Sequence, residues 1–219
     1  MKVKAVYFDL DGTLVDSEQL HALSWNRVLA DFAIHYDEAE FCSYYAGKPT
    51  LEAAKTIKQE HQLAISATEL AKQKHDVFAE MAKQQLPRLI DGAKELLAWC
   101  QESGLKCALV TGSAKSEAEA ILTGYNLHHY FDVIFTRDDV LKPKPDPEPY
   151  LKAIETLGLD ACQGIALEDT RTGSLSASGA GLFTIVVPNS YASAHDFSHA
   201  DHQSNSLFEV KEVITRKLD

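Results

Sequence analysis

Five short apolar runs, each closed by a turn, constrain this 219-residue chain more than any other feature. They lie at residues 3–8, 105–110, 131–135, 164–167 and 183–187. Amphipathic stretches such as residues 92–103 and 116–127 stand between them, with apolar side chains at helical spacing. Strand–helix alternation of this kind builds a parallel sheet with helices on both faces. Continuous apolarity within each run suits strands buried on both sides. The fold class expected is therefore α/β, with a doubly wound parallel sheet.

The alternation is interrupted once. Residues 15–87 contain no convincing strand, yet a crossover between parallel strands needs only about a dozen residues. Ala22, Leu23, Trp25, Val28, Leu29 and Phe32 form one stripe at helical spacing, and Leu70, Val77, Phe78 and Met81 suggest another. The reading is a core of residues 1–15 and 87–219 carrying an all-helical cap domain at 16–86. Two short hinges, near residues 15–16 and 86–87, would give that insertion the arrangement of a lid.

Composition excludes several classes. A formal net charge of −11 leaves no basic face for nucleic acid, although local cations can still dominate a pocket. No apolar run reaches the roughly 20 residues of a membrane span. The amino terminus enters a strand without a signal-peptide pattern. Cys42, Cys100, Cys107 and Cys162 are scattered and read as reduced, mostly buried thiols. A cytoplasmic monomer is the expectation.

Chemistry-bearing residues follow the strands. Asp9 and Asp11 come after the first, Thr111, Gly112 and Ser113 after the second, and Glu168 and Asp169 after the fourth. The third is followed by Arg137 and then by a loop with Lys142 and Lys144. Ligands bind at the carboxyl ends of parallel strands, so these clusters converge on one sheet edge. Four carboxylates gathered there resist joint ionisation, which a hard cation with oxygen ligands, such as Mg²⁺, would resolve. A metal so bound usually also holds a phosphate. Lys144 offers it charge and Thr111 a hydroxyl. One carboxylate could attack as nucleophile and the second could exchange a proton with the leaving or attacking oxygen.

The segments DLDGTLVDSE, VTGS, KPDPEPYLKA and ALEDTRTGSLSASGAG, in that order, resemble the haloacid dehalogenase superfamily, in its β-phosphoglucomutase-like branch with a helical cap. The resemblance covers nearly the whole chain and implies a Rossmann-like core. It implies that Asp9 is the nucleophile, Asp11 the general acid/base, and Thr111 and Lys144 the holders of the transferring phosphoryl group. Asp9, the Asp11 carbonyl, Glu168 and Asp169 would surround Mg²⁺. Family members place an aromatic residue six positions after the motif lysine, and Tyr150 does so for Lys144 rather than Lys142.

The same resemblance implies roles in substrate binding for His21 and Lys74, at the positions of a mutase histidine and lysine. Gly112 and Ser113 could donate to substrate oxygens as well as cap a helix. Where mutases carry a cap arginine for the distal phosphate, this chain has Gly47-Lys48-Pro49-Thr50, so only the point charge of Lys48 is available. That departure favours a Mg²⁺-dependent phosphatase of small phosphomonoesters, sugar phosphates above all, over a phosphomutase, which stands as the alternative. Trp25 reads as cap core or pocket wall, Arg137 and Arg171, placed after strand ends, as surface or ion-pair residues with substrate contact as the alternative, and His195, His199 and His202 as an exposed loop rather than a metal site.

Overall fold

The structure, a computed structural model, describes residues 2–189 and 195–218. Along the chain run β1 (Ala5–Phe8), β2 (Val15–Asp16), α1 (Glu18–Leu29), α2 (Glu38–Tyr45), α3 (Thr50–Glu60), α4 (Ala67–Gln84) and β3 (Arg88–Leu89). There follow α5 (Ala93–Glu102), β4 (Lys106–Val110), α6 (Lys115–Tyr125), β5 (Val133–Phe135), α7 (Glu148–Leu157), β6 (Gly164–Glu168), α8 (Arg171–Gly179), β7 (Phe183–Val186), β8 (His202–Gln203) and α9 (Leu207–Leu218). Six strands form one sheet in the order β5-β4-β1-β6-β7-β8, and every pairing in it is parallel.

Strand period divides the core cleanly. Val6, Phe8, Leu109, Ile165, Leu167 and Ile185 face one side, against Leu97, Ile121 and Val210 of the α5, α6 and α9 layer. Tyr7, Ala108, Val110 and Ala166 face the other, against Tyr150, Ala153 and Ala177 of α7 and α8. Both faces are covered, which is why the strands read as unbroken apolar runs. Because β1 lies between β4 and β6, the direction of winding reverses beside it, and the crevice at its carboxyl end is where such sheets bind ligands.

Helices α1 to α4 hold a third cluster, built on Trp25, Phe41, Tyr45, Ile57 and Leu70. The expected stripes supply much of it, with one correction. Leu23 is 48% exposed, because it falls outside the arc that α1 turns toward its neighbours. Three strands were not legible. β2 and β3 form a two-stranded antiparallel pair, Val15 with Leu89 and Asp16 with Arg88, where only hinges are expected. β8 adds an edge strand at His202, in a stretch that reads as loop. Each is two residues long, too short for any periodicity to register.

Candidate active site

The loop after β1 is shaped by its need to approach a second loop. Asp9 continues the sheet by donating its N–H to Leu167 O (3.0 Å). Gly12 then turns the chain at φ 77°, and a Cβ there would lie 1.9 Å from Asp169 Oδ2. Glycine thus supplies both the left-handed turn and the room for Asp169. On the far side, Thr170 caps α8 by accepting the Gly173 N–H (3.1 Å).

Lys144 sits at the centre of the strand-end cluster. Its ammonium donates to Asp9 Oδ1 (2.7 Å), Glu168 Oε1 (2.5 Å) and the Val110 carbonyl (2.8 Å), and the residue is only 8% exposed. Lys142, by contrast, points to solvent and approaches only Asp146, at 3.9 Å. Of the two lysines, it is Lys144 that stands within the strand-end cluster. Tyr150 explains why an aromatic residue follows at that interval: its hydroxyl donates to Glu168 Oε1 (2.5 Å), and its ring lies under the Lys144 ammonium.

Asp11 faces a different set of partners. Ser17 Oγ donates to one carboxylate oxygen (2.6 Å) and Ser113 Oγ to the other (2.5 Å), while His21 Nε2 lies 3.4 Å away. Burial opposes ionisation, but the His21, Ser113 and Ser17 contacts outweigh it and hold Asp11 below its ordinary carboxylate range. Thr111 Oγ1 accepts the Ser113 N–H (3.0 Å), which leaves the hydroxyl proton for a ligand. Gly112 borders the same cavity with open space where a side chain would stand.

Asp9, Asp11, His21, Thr111, Ser113, Lys144, Glu168 and Asp169 line one cavity of about 130 Å³, together with Gly112, Lys48, Trp25 and Arg137. Trp25 serves both readings, as pocket wall and as part of the helical cluster. Lys74 does not reach the cavity lining. It is fully buried behind His21, with its ammonium 2.7 Å from His21 Nδ1 and 2.7 Å from Glu117 Oε1. A lysine ammonium can only donate, so His21 Nδ1 is the acceptor of this contact, and Nε2 is the ring nitrogen turned toward Asp11. Sequence reasoning did not find Glu117, Ser17 and Glu18, nor Asn189, which donates to Asp169 Oδ2 (2.9 Å). Of these, Ser17 and Glu18 lie inside the quoted DLDGTLVDSE segment and were within reach. His199 bonds Ser174 Oγ (2.9 Å) rather than joining His195 and His202 about a metal.

The donor set suits a divalent cation. Asp9, Glu168 and Asp169 are buried and offer oxygens that all lie within 4.8 Å of one another. Asp169 Oδ1 is buried with no hydrogen-bond partner among the described residues. Burial, reinforced by the Asp9 and Glu168 charges, pushes Asp169 far above its ordinary value. Burial also raises Asp9, against the pull of Lys144. A hard cation held by these oxygens removes that penalty.

A doubly wound core, four strand-end clusters and a helical insertion over them define a class, and the chain belongs to it: the haloacid dehalogenase-like hydrolase family matches residues 6–187. It is 32% identical to validoxylamine A 7'-phosphate phosphatase of Streptomyces hygroscopicus subsp. limoneus, over 95% of this chain and 96% of that protein. It is 31% identical to fructose-1-phosphate phosphatase YqaB of Escherichia coli, over 82% of this chain and 94% of that one. A crystal structure of an Asp-to-Asn variant of CbbY from Rhodobacter sphaeroides, in complex with xylulose-(1,5)bisphosphate, superposes with a TM-score of 0.85 at 27% identity, covering 94% of this chain and 96% of that one.

Proposed function

We propose that the protein is a Mg²⁺-dependent phosphatase of phosphorylated sugars, acting through an aspartyl phosphate on Asp9. The observation that carries this reading is the buried junction of Asp9, Lys144 and Glu168 at the strand ends, with Thr111 beside it. Asp9, the Asp11 carbonyl, Glu168 and Asp169 would hold the cation, which when bound supplies positive charge to phosphoryl oxygens. Asp9 attacks phosphorus and the sugar oxygen leaves, taking a proton from Asp11. Asp11 then removes a proton from the water that cleaves the aspartyl phosphate. Its serine and histidine donors favour the ionised form this second step needs. Lys144 and Thr111 neutralise and orient the transferring group, which is most of what such a reaction asks of a protein.

The helical segment 16–86 acts as the cap, bringing Lys48 and Trp25 over the substrate. The phosphatase relatives support the reaction class and the sugar-phosphate class together. His21 keeps the mutase alternative in view; Lys74, committed to Glu117, gives it no substrate contact. Asp9→Asn should fold normally by circular dichroism yet lose hydrolysis of hexose phosphates in Mg²⁺; turnover near the wild-type rate would sink the assignment. With β-glucose 1-phosphate the wild type should release inorganic phosphate, whereas accumulation of glucose 6-phosphate would establish the mutase.

A further inference from the structure

We propose that Arg137 reads a second anionic group, a phosphate or a carboxylate, on the non-reacting end of the substrate, so that doubly anionic phosphoesters are preferred. The inference rests on the phosphatase reading only in taking a phosphomonoester as the occupant of the cavity. Arg137 opens the helical turn after β5, and its N–H donates to Ser113 O (3.0 Å), which fixes its backbone beside the loop that bears Thr111 and Ser113. Arg137 is half-buried and is one of the residues that line the cavity.

Nothing among the described residues pairs with its guanidinium. Its acidic neighbours are turned to other donors. Asp138 Oδ2 accepts the Lys115 N–H (2.8 Å), and Asp139 Oδ2 accepts both the Thr136 N–H (2.8 Å) and hydroxyl (2.6 Å). Three of the cavity carboxylates are committed as well: Asp9 and Glu168 to Lys144, Asp11 to Ser17, Ser113 and His21.

The transferring phosphoryl group already has Lys144 and Thr111, so Arg137 is a surplus cation at the same cavity. Lys48 is a second, offered from the insertion, with its ammonium over the Tyr45 ring at 5.4 Å and no ion pair among the described residues. A guanidinium partly withdrawn from water is short of acceptors, and its planar fork matches the oxygens of a phosphate or carboxylate in two parallel bonds. Since Arg137 belongs to the core, this recognition does not depend on the insertion alone.

The test compares a hexose monophosphate, the matching hexose bisphosphate and a phosphorylated sugar acid, in Mg²⁺, on wild type, Arg137→Gln and Arg137→Lys. Loss of a charge-assisted bidentate contact predicts that Arg137→Gln drops kcat/KM for the doubly anionic substrates about ten-fold further than for the monophosphate, with partial recovery in Arg137→Lys. Equal losses on all three would overturn the inference, as would no loss, provided thermal melting shows the variants folded. Calorimetric Kd values for the same compounds, measured on Asp9→Asn with and without Arg137→Gln, supply a readout independent of turnover. Should the wild type hydrolyse none of them while the Arg137-dependent gap in Kd persists, the phosphatase reading fails and this inference stands. Should the gap be absent, the inference fails whatever the turnover.

Discussion

Tyr150 shows how one buried hydroxyl organises a charged site. It places a donor on Glu168 Oε1 and a ring beneath Lys144, so it fixes a carboxylate and an ammonium at once. Tyr150→Phe removes the donor and leaves the ring. A hydrogen bond to a buried charged group contributes about 1.5–3 kcal/mol, so urea denaturation should show a loss in that range. No loss would mean that Glu168 finds another donor. The residues of the strand-end cluster were legible because each follows an apolar run directly, and the fold brings strand ends together by construction. Tyr150 was legible only as a spacing. Its physical reason needed the structure, since nothing in the sequence says that α7, packed against β4 and β5, turns the Tyr150 hydroxyl toward Glu168 of β6. Arg137 was readable as a strand-end residue for which substrate contact was the lesser alternative; its place at the cavity needed the turn after β5 to be seen.

Among the helices, α4 and α6 are joined by charge as well as by packing. Glu117 of α6 takes Lys74 at 2.7 Å and lies 2.9 Å from His75 Nδ1, both on α4, while its other bond caps its own helix at Ala114 N–H (2.9 Å). Burial would raise Glu117, but Lys74 and His75 overcome it and hold the carboxyl far below its ordinary value. A folded-state value below the unfolded one means that this stabilisation is complete above the ordinary glutamate range and fades as pH falls beneath it. Glu117→Gln strands a buried ammonium, and breaking such a pair costs about 3–5 kcal/mol. The stability gap between wild type and Glu117→Gln should therefore be full near neutrality and narrow steadily below about pH 4.5. A gap independent of pH would exclude the ionised pair. The mutase resemblance puts Lys74 at the substrate, and a helical lysine carries no sign of its partner to correct that. Here the partner is 43 residues away on a helix of the core.

Over the whole molecule, the proposed cation would relieve the repulsion among Asp9, Glu168 and Asp169, and stability would then depend on it. Binding to the folded state alone adds about 2.7 kcal/mol at one hundred times Kd. For a chain of this size each 1 kcal/mol moves Tm by about 2–4 °C, so saturating Mg²⁺ should raise Tm by roughly 5–10 °C, and chelator should reverse the rise. Asp169→Asn should abolish the dependence; an unchanged Mg²⁺ response in that variant would remove Asp169 from the ligand set. At this scale the sequence conveyed the layered sheet and the helical insertion, because both are written in long periodic stretches. It did not convey the seam between them. There, Val15 and Asp16 run antiparallel to Leu89 and Arg88, so the chain leaves the core and returns to it side by side. An insertion whose two ends meet in this way adds little closure entropy to the host, whatever its length. The part that contacts the substrate can therefore be exchanged or reshaped while the carboxylates beneath it keep their places, and one hydrolytic core can be fitted to many sugars.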